Sequence, residues 1–154
     1  MPDDIFSSQE HNIFRNTMRR FVETELAPRA REFDEMGQVD KAIYPKMGEL
    51  GLLGLRYDPR WGGAGLDWSY STIFYEELAG CDNAGVGMGI SVHTDMATPS
   101  LHQFGSDELK EKYLVPSIKG EMLSAIGVTE PDAGSDVSRI KTRAVRDGDD
   151  WVIN

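Results

Sequence analysis

The sequence predicts a mostly α-helical fold, a bundle-like helical domain over residues 1–122 followed by the opening strands of an incomplete β-domain over residues 123–154. Three observations predict it. Apolar residues recur at three- and four-residue spacing through most of the chain before residue 120, the pattern of helices that bury one face. From residue 123 onward the pattern becomes short apolar runs broken by glycine, proline and aspartate, which suits strands and turns. Near the end, Asp147-Gly148-Asp149 separates two short runs and reads as a hairpin turn.

The first helix opens at Ser7-x-x-Glu10, a capping box in which side-chain and backbone groups satisfy each other. Ile13, Phe14, Met18, Phe21, Val22 and Leu26 mark its inward face, while Arg15, Arg19, Arg20, Glu23 and Glu25 read as a solvated one. It is predicted to run to about Phe33, locally opened at Pro28, whose ring removes an amide donor and crowds the preceding turn. Gly37 ends it. A second helix over residues 41–50 turns Ile43, Met47 and Leu50 inward. The run Asp58-Pro-Arg-Trp-Gly-Gly-Ala-Gly65 lacks the strand, helix and lysine of a phosphate loop and reads as a turn packed under Trp61.

Asp67 or Ser69 caps a third helix carrying Ile73, Phe74 and Leu78, closed by Gly80 and Asp82-Asn83. In the fourth segment, residues 84–104, Gly85, Gly87, Gly89 and Ser91 leave one side nearly bare, so another helix or a ligand can approach closely. His93 and His102 do not have the i, i+4 spacing of a helical metal pair, and structural or surface roles are expected for both. Ser106 caps a fifth helix over residues 107–116, with acids early and lysines late as the helix dipole favours. Lys119-Gly120-Glu121 ends the helical part.

Composition bounds the function. With 154 residues the chain forms one domain, or one domain and part of another. A net charge of −10 argues against nonspecific nucleic-acid binding and against adhesion to anionic membranes. Cys81 is the only cysteine, so no intramolecular disulfide forms and a reducing compartment fits. No transmembrane span is predicted, and the acidic residues 1–4 do not resemble a secretory or mitochondrial leader; a cytoplasmic location is expected. The apolar run at the end has no further strand to pair with, so the chain is expected to be part of a longer one.

The most informative stretch is Ser124-Ala-Ile-Gly-Val-Thr-Glu-Pro-Asp-Ala-Gly-Ser-Asp136. It begins as a buried strand by its apolar run, then breaks into a tight turn at Pro131 and Gly134. Such a turn exposes backbone N–H groups to a carbonyl or phosphate oxygen, and Thr129 offers a hydroxyl beside them. The same residues have a plainer use, since Ser135 or Asp136 can cap a short helical turn over residues 137–140.

Val128-Thr129-Glu130-Pro131-Asp132-Ala133-Gly134-Ser135-Asp136 closely resembles the signature of the acyl-CoA dehydrogenase family of flavoproteins, and the resemblance extends along the whole chain, through Glu76-Glu77-Leu78-Ala79 and the glycine-rich loop. It implies an N-terminal helical domain leading into a truncated β-barrel domain that binds FAD. It implies a flavin-contacting segment of Ile126, Gly127, Val128, Thr129, Glu130, Pro131, Asp132, Ala133, Gly134 and Ser135, with Thr129 bonding the flavin and Ser135 also meeting the acyl-CoA arm. Met88, Val92 and Met96 are expected as walls of an acyl cavity. The implied reaction is α,β-dehydrogenation of a fatty acyl-CoA: a carboxylate takes the α-proton, the flavin takes the β-hydride, and an electron-transfer flavoprotein receives the electrons. The implied base lies outside these residues, so no catalytic residue and no metal ligand is assigned within them. A homo-oligomer, tetramer or dimer, is implied for the complete protein. Two other readings remain open, an acyl-CoA oxidase-like flavoprotein and a helical binding or assembly domain without turnover.

Overall fold

A computed structural model of the chain describes residues 6–154. Helix α1 (Gln9–Phe21) starts where the Ser8 hydroxyl accepts the His11 N–H at 3.1 Å, so the cap is Ser8 and not the predicted Ser7. A widened π-helical turn, Val22–Leu26, and a 3₁₀ turn, Ala27–Arg29, then lead into α2 (Ala30–Met36), which ends at Gly37 with φ +64°. The opening expected at Pro28 is therefore present, displaced one turn upstream. Helix α3 (Ile43–Glu49) and the turn beneath Trp61 precede α4 (Trp68–Leu78), where the Asp67 carboxylate accepts the Ser69 N–H at 2.8 Å.

The predicted fourth helix is split into α5 (Ala84–Ser91), a π-helical turn Val92–Ala97, and α6 (Pro99–Phe104). The predicted fifth is likewise split into α7 (Asp107–Leu109), a π-helical turn Lys110–Leu114, and α8 (Val115–Ile118). Pro28, Pro99 and Pro116 each lie just after a widened turn. A proline cannot donate to the carbonyl one turn back and its ring pushes that carbonyl away, so the helix widens before restarting.

The main core joins Met18, Phe21, Val22 and Leu26 to Ile43, Met47, Phe74, Leu78, Val86 and Ile90. Burying each such side chain contributes about 1.5–3 kcal/mol. Two residues predicted inward are not. Ile13 is 59% exposed and Leu50 is 50% exposed, because each lies at the margin of its apolar stripe where no helix among the described residues covers it. The supposedly solvated face of α1 is also partly covered. Arg15 and Arg19 reach Glu77 on α4 at 2.9 and 2.8 Å, and these guanidinium bonds, Arg19 foremost, hold the Glu77 carboxyl below its ordinary range. A second cluster packs Tyr57 and Trp61 against Leu114 and Ile118, so the glycine-rich run is structural.

Beyond Gly120 the helices stop. The strand expected from Ser124 is not formed: residues 125–129 carry no regular secondary structure and are exposed, and among the described residues no strand lies alongside to pair with them. Strands β1 (Ala144–Asp147) and β2 (Asp150–Ile153) form the predicted antiparallel hairpin, with Val145 opposite Val152 and Arg146 opposite Trp151. Gly148 takes φ +61° at the first loop position, where a two-residue connection of this hand favours glycine.

Gly120 carries the sharpest local constraint. Its φ is +72°, and a Cβ there would stand 2.1 Å from the Tyr44 carbonyl oxygen. Gly120→Ala is expected to lower stability by about 2 kcal/mol or more, since strain and overlap add. Gly37→Ala, with φ +64° but open space around the site, should cost only about 1 kcal/mol. Urea unfolding of both variants checks the order, and equal losses would remove the role given to the Tyr44 contact.

Candidate functional site

The sequence singles out residues 126–135, and the structure divides them into an open strip and a closed turn. Along residues 125–129 no backbone N–H or C=O has a hydrogen-bond partner among the described residues. Ile126 and Val128 are exposed, the Thr129 hydroxyl is unengaged, and a Cβ on Gly127 would meet nothing within 4 Å. A row of unengaged backbone donors and acceptors can bond the polar edge of a ligand.

The turn that follows is held by its own polar groups. Glu130 and Ala133 exchange backbone bonds at 2.9 and 3.2 Å around Pro131 and Asp132. The Glu130 carboxylate accepts the Lys141 and Thr142 N–H groups at 2.8 and 2.9 Å, and those bonds lower its pKa from 4.5. Asp132 pairs with the Lys141 ammonium at 2.9 Å. Ala133 is buried, whereas Gly134 and Ser135 are not: Gly134 has open space around it and Ser135 is exposed. Asp136 caps the 3₁₀ turn Val137–Arg139 by accepting the Ser138 N–H at 3.1 Å, so the plainer reading of this stretch also holds, through Asp136. Ile126, Gly127, Val128 and Thr129 thus share one open strip, while the polar groups of Glu130 are already engaged.

The strip is joined to the helices by a residue that sequence reasoning left in the background. His93, on the π-helical turn Val92–Ala97, is 2% exposed. Its Nδ1 accepts the Ser124 N–H at 3.1 Å and its Nε2–H donates to the Ser117 carbonyl at 3.0 Å. Those two partners require the neutral Nε2–H tautomer. Burial lowers the His93 pKa from 6.5, partly opposed by the Ser117 carbonyl. Next to it, Thr94 accepts the Gly54 N–H through its hydroxyl at 3.0 Å and the Tyr57 hydroxyl through its carbonyl at 2.6 Å. Burial pushes the Tyr57 phenol up to about 12. Asp95 takes Arg56 at 3.1 Å and the Tyr75 hydroxyl, and the Arg56 guanidinium lies 3.6 Å over the Trp68 ring.

Met88 and Met96, expected as cavity walls with Val92, are 61% and 50% exposed and so wall no enclosed cavity among the described residues. An open groove of about 450 Å³, lined by Arg20, Phe21, Glu25, Lys46 and Leu50, shares no residue with the strip. His11, Ser69 and Asp67 superficially suggest a triad. The Ser69 hydroxyl donates to Asp67, and among the described residues the imidazole's one hydrogen bond is to Ser69, so the carboxylate caps α4 and orients no base. Among the described residues, no three His, Cys, Asp or Glu side chains converge to hold a metal ion.

Helices interrupted by widened turns before Pro28, Pro99 and Pro116 lead through a Thr-Glu-Pro turn into an antiparallel hairpin. The chain belongs to the acyl-CoA dehydrogenase family, whose N-terminal domain matches residues 8–121. It is 38% identical over 150 residues to the mitochondrial long-chain specific acyl-CoA dehydrogenase of Sus scrofa, covering 97% of this chain and 34% of that protein. The short-chain specific acyl-CoA dehydrogenase of Clostridium acetobutylicum is 39% identical over 152 residues, covering 98% of this chain and 40% of that protein. A glutaryl-CoA dehydrogenase from Mycobacterium smegmatis, solved in complex with FADH2, superimposes with a TM-score of 0.89 at 31% identity, covering 99% of this chain and 39% of the other. The chain therefore spans between a third and two fifths of the length of these relatives.

The two anchors of the strip should loosen at different pH. His93 has a lowered folded pKa, so its contribution is whole above 6.5 and fades as pH falls from there towards the folded value. Glu130 also has a lowered pKa, so its contribution is whole above 4.5 and is lost as pH falls through the folded value. Protection factors from hydrogen exchange should drop first at Ser124, then at Lys141 and Thr142. Loss at all three in one transition would contradict the assignment.

Proposed function

We propose that this chain is the amino-terminal part of an FAD-dependent enzyme that introduces an α,β double bond into a fatty acyl-CoA thioester and passes the electrons to an electron-transfer flavoprotein. The observation that carries the reading is the strip over residues 125–129, exposed and unpaired in its backbone among the described residues, yet anchored at both ends. Its donors and acceptors suit the amide-like edge of an isoalloxazine ring, and the Thr129 hydroxyl adds one more bond. FAD, when bound, supplies the hydride acceptor. The chain's part is to orient that group and keep water from its edge.

Within the same proposal, residues 1–122 form the helical domain and residues 123–154 begin the FAD-binding β-domain. Ile126, Gly127, Val128 and Thr129 face the cofactor through backbone and hydroxyl. Pro131, Asp132, Ala133 and Gly134 shape the turn that carries Ser135 to the meeting point of cofactor and substrate. Glu130 acts as the staple of that turn, its carboxylate held by Lys141 and Thr142, which leaves it unsuited to proton abstraction. That step belongs to a carboxylate elsewhere in the complete enzyme. Homo-oligomer formation would cover exposed apolar surface such as Trp151 and Ile153 on the hairpin. A reducing compartment, the cytoplasm in the first instance, suits the buried thiol of Cys81. No helix among the described residues is long and apolar enough to cross a membrane.

Purified alone, residues 1–154 should retain no FAD and reduce none with acyl-CoA, because an open strip must be ordered at the ligand's expense. The full-length protein should be yellow and should bleach with acyl-CoA substrates. There, Thr129→Ala should weaken FAD binding by about 1 kcal/mol, one hydrogen bond's worth, read by flavin titration. A colourless full-length protein would refute the reading.

Gly89 tests the acyl cavity. A Cβ there meets only the Tyr44 hydroxyl at 3.7 Å, so a small side chain fits and a leucine intrudes on whatever lies beyond. In the full-length enzyme Gly89→Leu should lower kcat/KM for long acyl-CoAs more than for short ones. A loss of about 1–3 kcal/mol in stability with an unchanged chain-length profile would assign Gly89 to helix packing alone.

A further inference from the structure

We propose that His93 is the positioning residue for the flavin-facing strip, setting where residues 125–129 leave the helical domain and at what angle. The inference rests on the reading of the strip given above, and adds the device that aims it. Between Met122, whose N–H goes to the Pro116 carbonyl, and Glu130, which exchanges backbone bonds with Ala133, the only hydrogen bond to a backbone group among the described residues is that from the Ser124 N–H to His93 Nδ1. The imidazole is itself fixed from three sides. Its Nε2–H is bound to the Ser117 carbonyl, the Tyr44 ring meets it edge-on at 5.2 Å, and burial at 2% leaves it no room to rotate.

The serine hydroxyls complete the clamp. Ser117 Oγ–H donates to the Tyr113 carbonyl at 2.7 Å, so at 3.0 Å the Ser124 hydroxyl must donate to Ser117 Oγ. Ser124 is thus held by its amide and by its hydroxyl, one through His93 and one through the residue that His93 itself binds. Two residues further on lies Ile126, where the flavin-facing segment begins. A change in the tilt of the Ser124 amide is therefore passed directly into the strip.

The test has two arms. In the 154-residue chain, ¹⁵N imidazole shifts should show the Nε2–H tautomer with Nδ1 hydrogen-bonded, a wild-type measurement that needs no variant. Hydrogen exchange is then compared in His93→Phe, which removes both bonds at similar volume, and His93→Gln, which keeps an acceptor and a donor. His93→Phe should speed exchange at Ser124 roughly tenfold or more while Ile73 and Phe74 keep their protection, and His93→Gln should restore much of it. A free Nδ1, or a uniform loss of protection throughout the helices, would overturn the proposal.

The second arm uses the full-length protein. His93→Phe should shift the flavin absorption bands and raise the FAD dissociation constant roughly tenfold, with His93→Gln close to wild type. A merely structural histidine would lower the melting temperature and leave the bands in place. If the wild-type full-length protein binds no flavin, the functional reading fails, while the exchange arm still decides whether His93 holds Ser124.

Discussion

Burying a polar side chain without a hydrogen-bond partner costs about 1–3 kcal/mol, and the turn Val92–Ala97 buries His93 and Thr94 side by side. Both must therefore find partners, and each finds them on a different segment. Thr94 fastens the loop at Gly54 and Tyr57, and His93 fastens α8 and the start of the open strip. A regular α-helix turns successive residues about 100° apart, which suits one buried residue of a neighbouring pair better than two. The wider π turn relaxes that spacing. Pro99 is thus tied indirectly to the site, since it accompanies the widened turn on which the polar residues sit.

Much of this was legible in the sequence. The capping residues Asp67 and Ser106, the breaks at Gly37 and Gly120, and the hairpin around Gly148 are local signals, written in residues that touch one another along the chain. The opening at Pro28 was legible for the same reason. Pro99 carries the same chemistry, yet it falls inside the segment 84–104 read as one element, so periodicity joined what the backbone divides, while Pro116 was read as a helix end although α8 runs on to Ile118. The resemblance of residues 128–136 to a family signature located the candidate site, which composition and spacing alone left between a ligand loop and a helix cap.

The rest was not legible because its causes are distant. His93 bonds residues 24 and 31 positions away, and no periodicity marks such a link. The run from Ser124 reads as a buried strand because its side chains are apolar, but a strand is made by its neighbour, and among the described residues none lies beside it. Ile13 and Leu50 err in the same direction. Helical spacing says which side of a helix is apolar, not whether anything comes to lie against its margin.

The reach of the His93 link has a consequence for the order of events during synthesis. The ribosome adds about 5–20 residues each second, whereas helices form within about a microsecond and hairpins within about ten. The imidazole is therefore made, and its helix able to form, well over a second before Ser124 leaves the exit tunnel. The β1–β2 hairpin closes on local contacts alone as soon as Ile153 is free. Residues 125–129 emerge between these two events with nothing along their backbone to bind. On a nascent chain this stretch stays open to chaperones and proteases, while its Ser124 end docks on a histidine made 31 residues earlier.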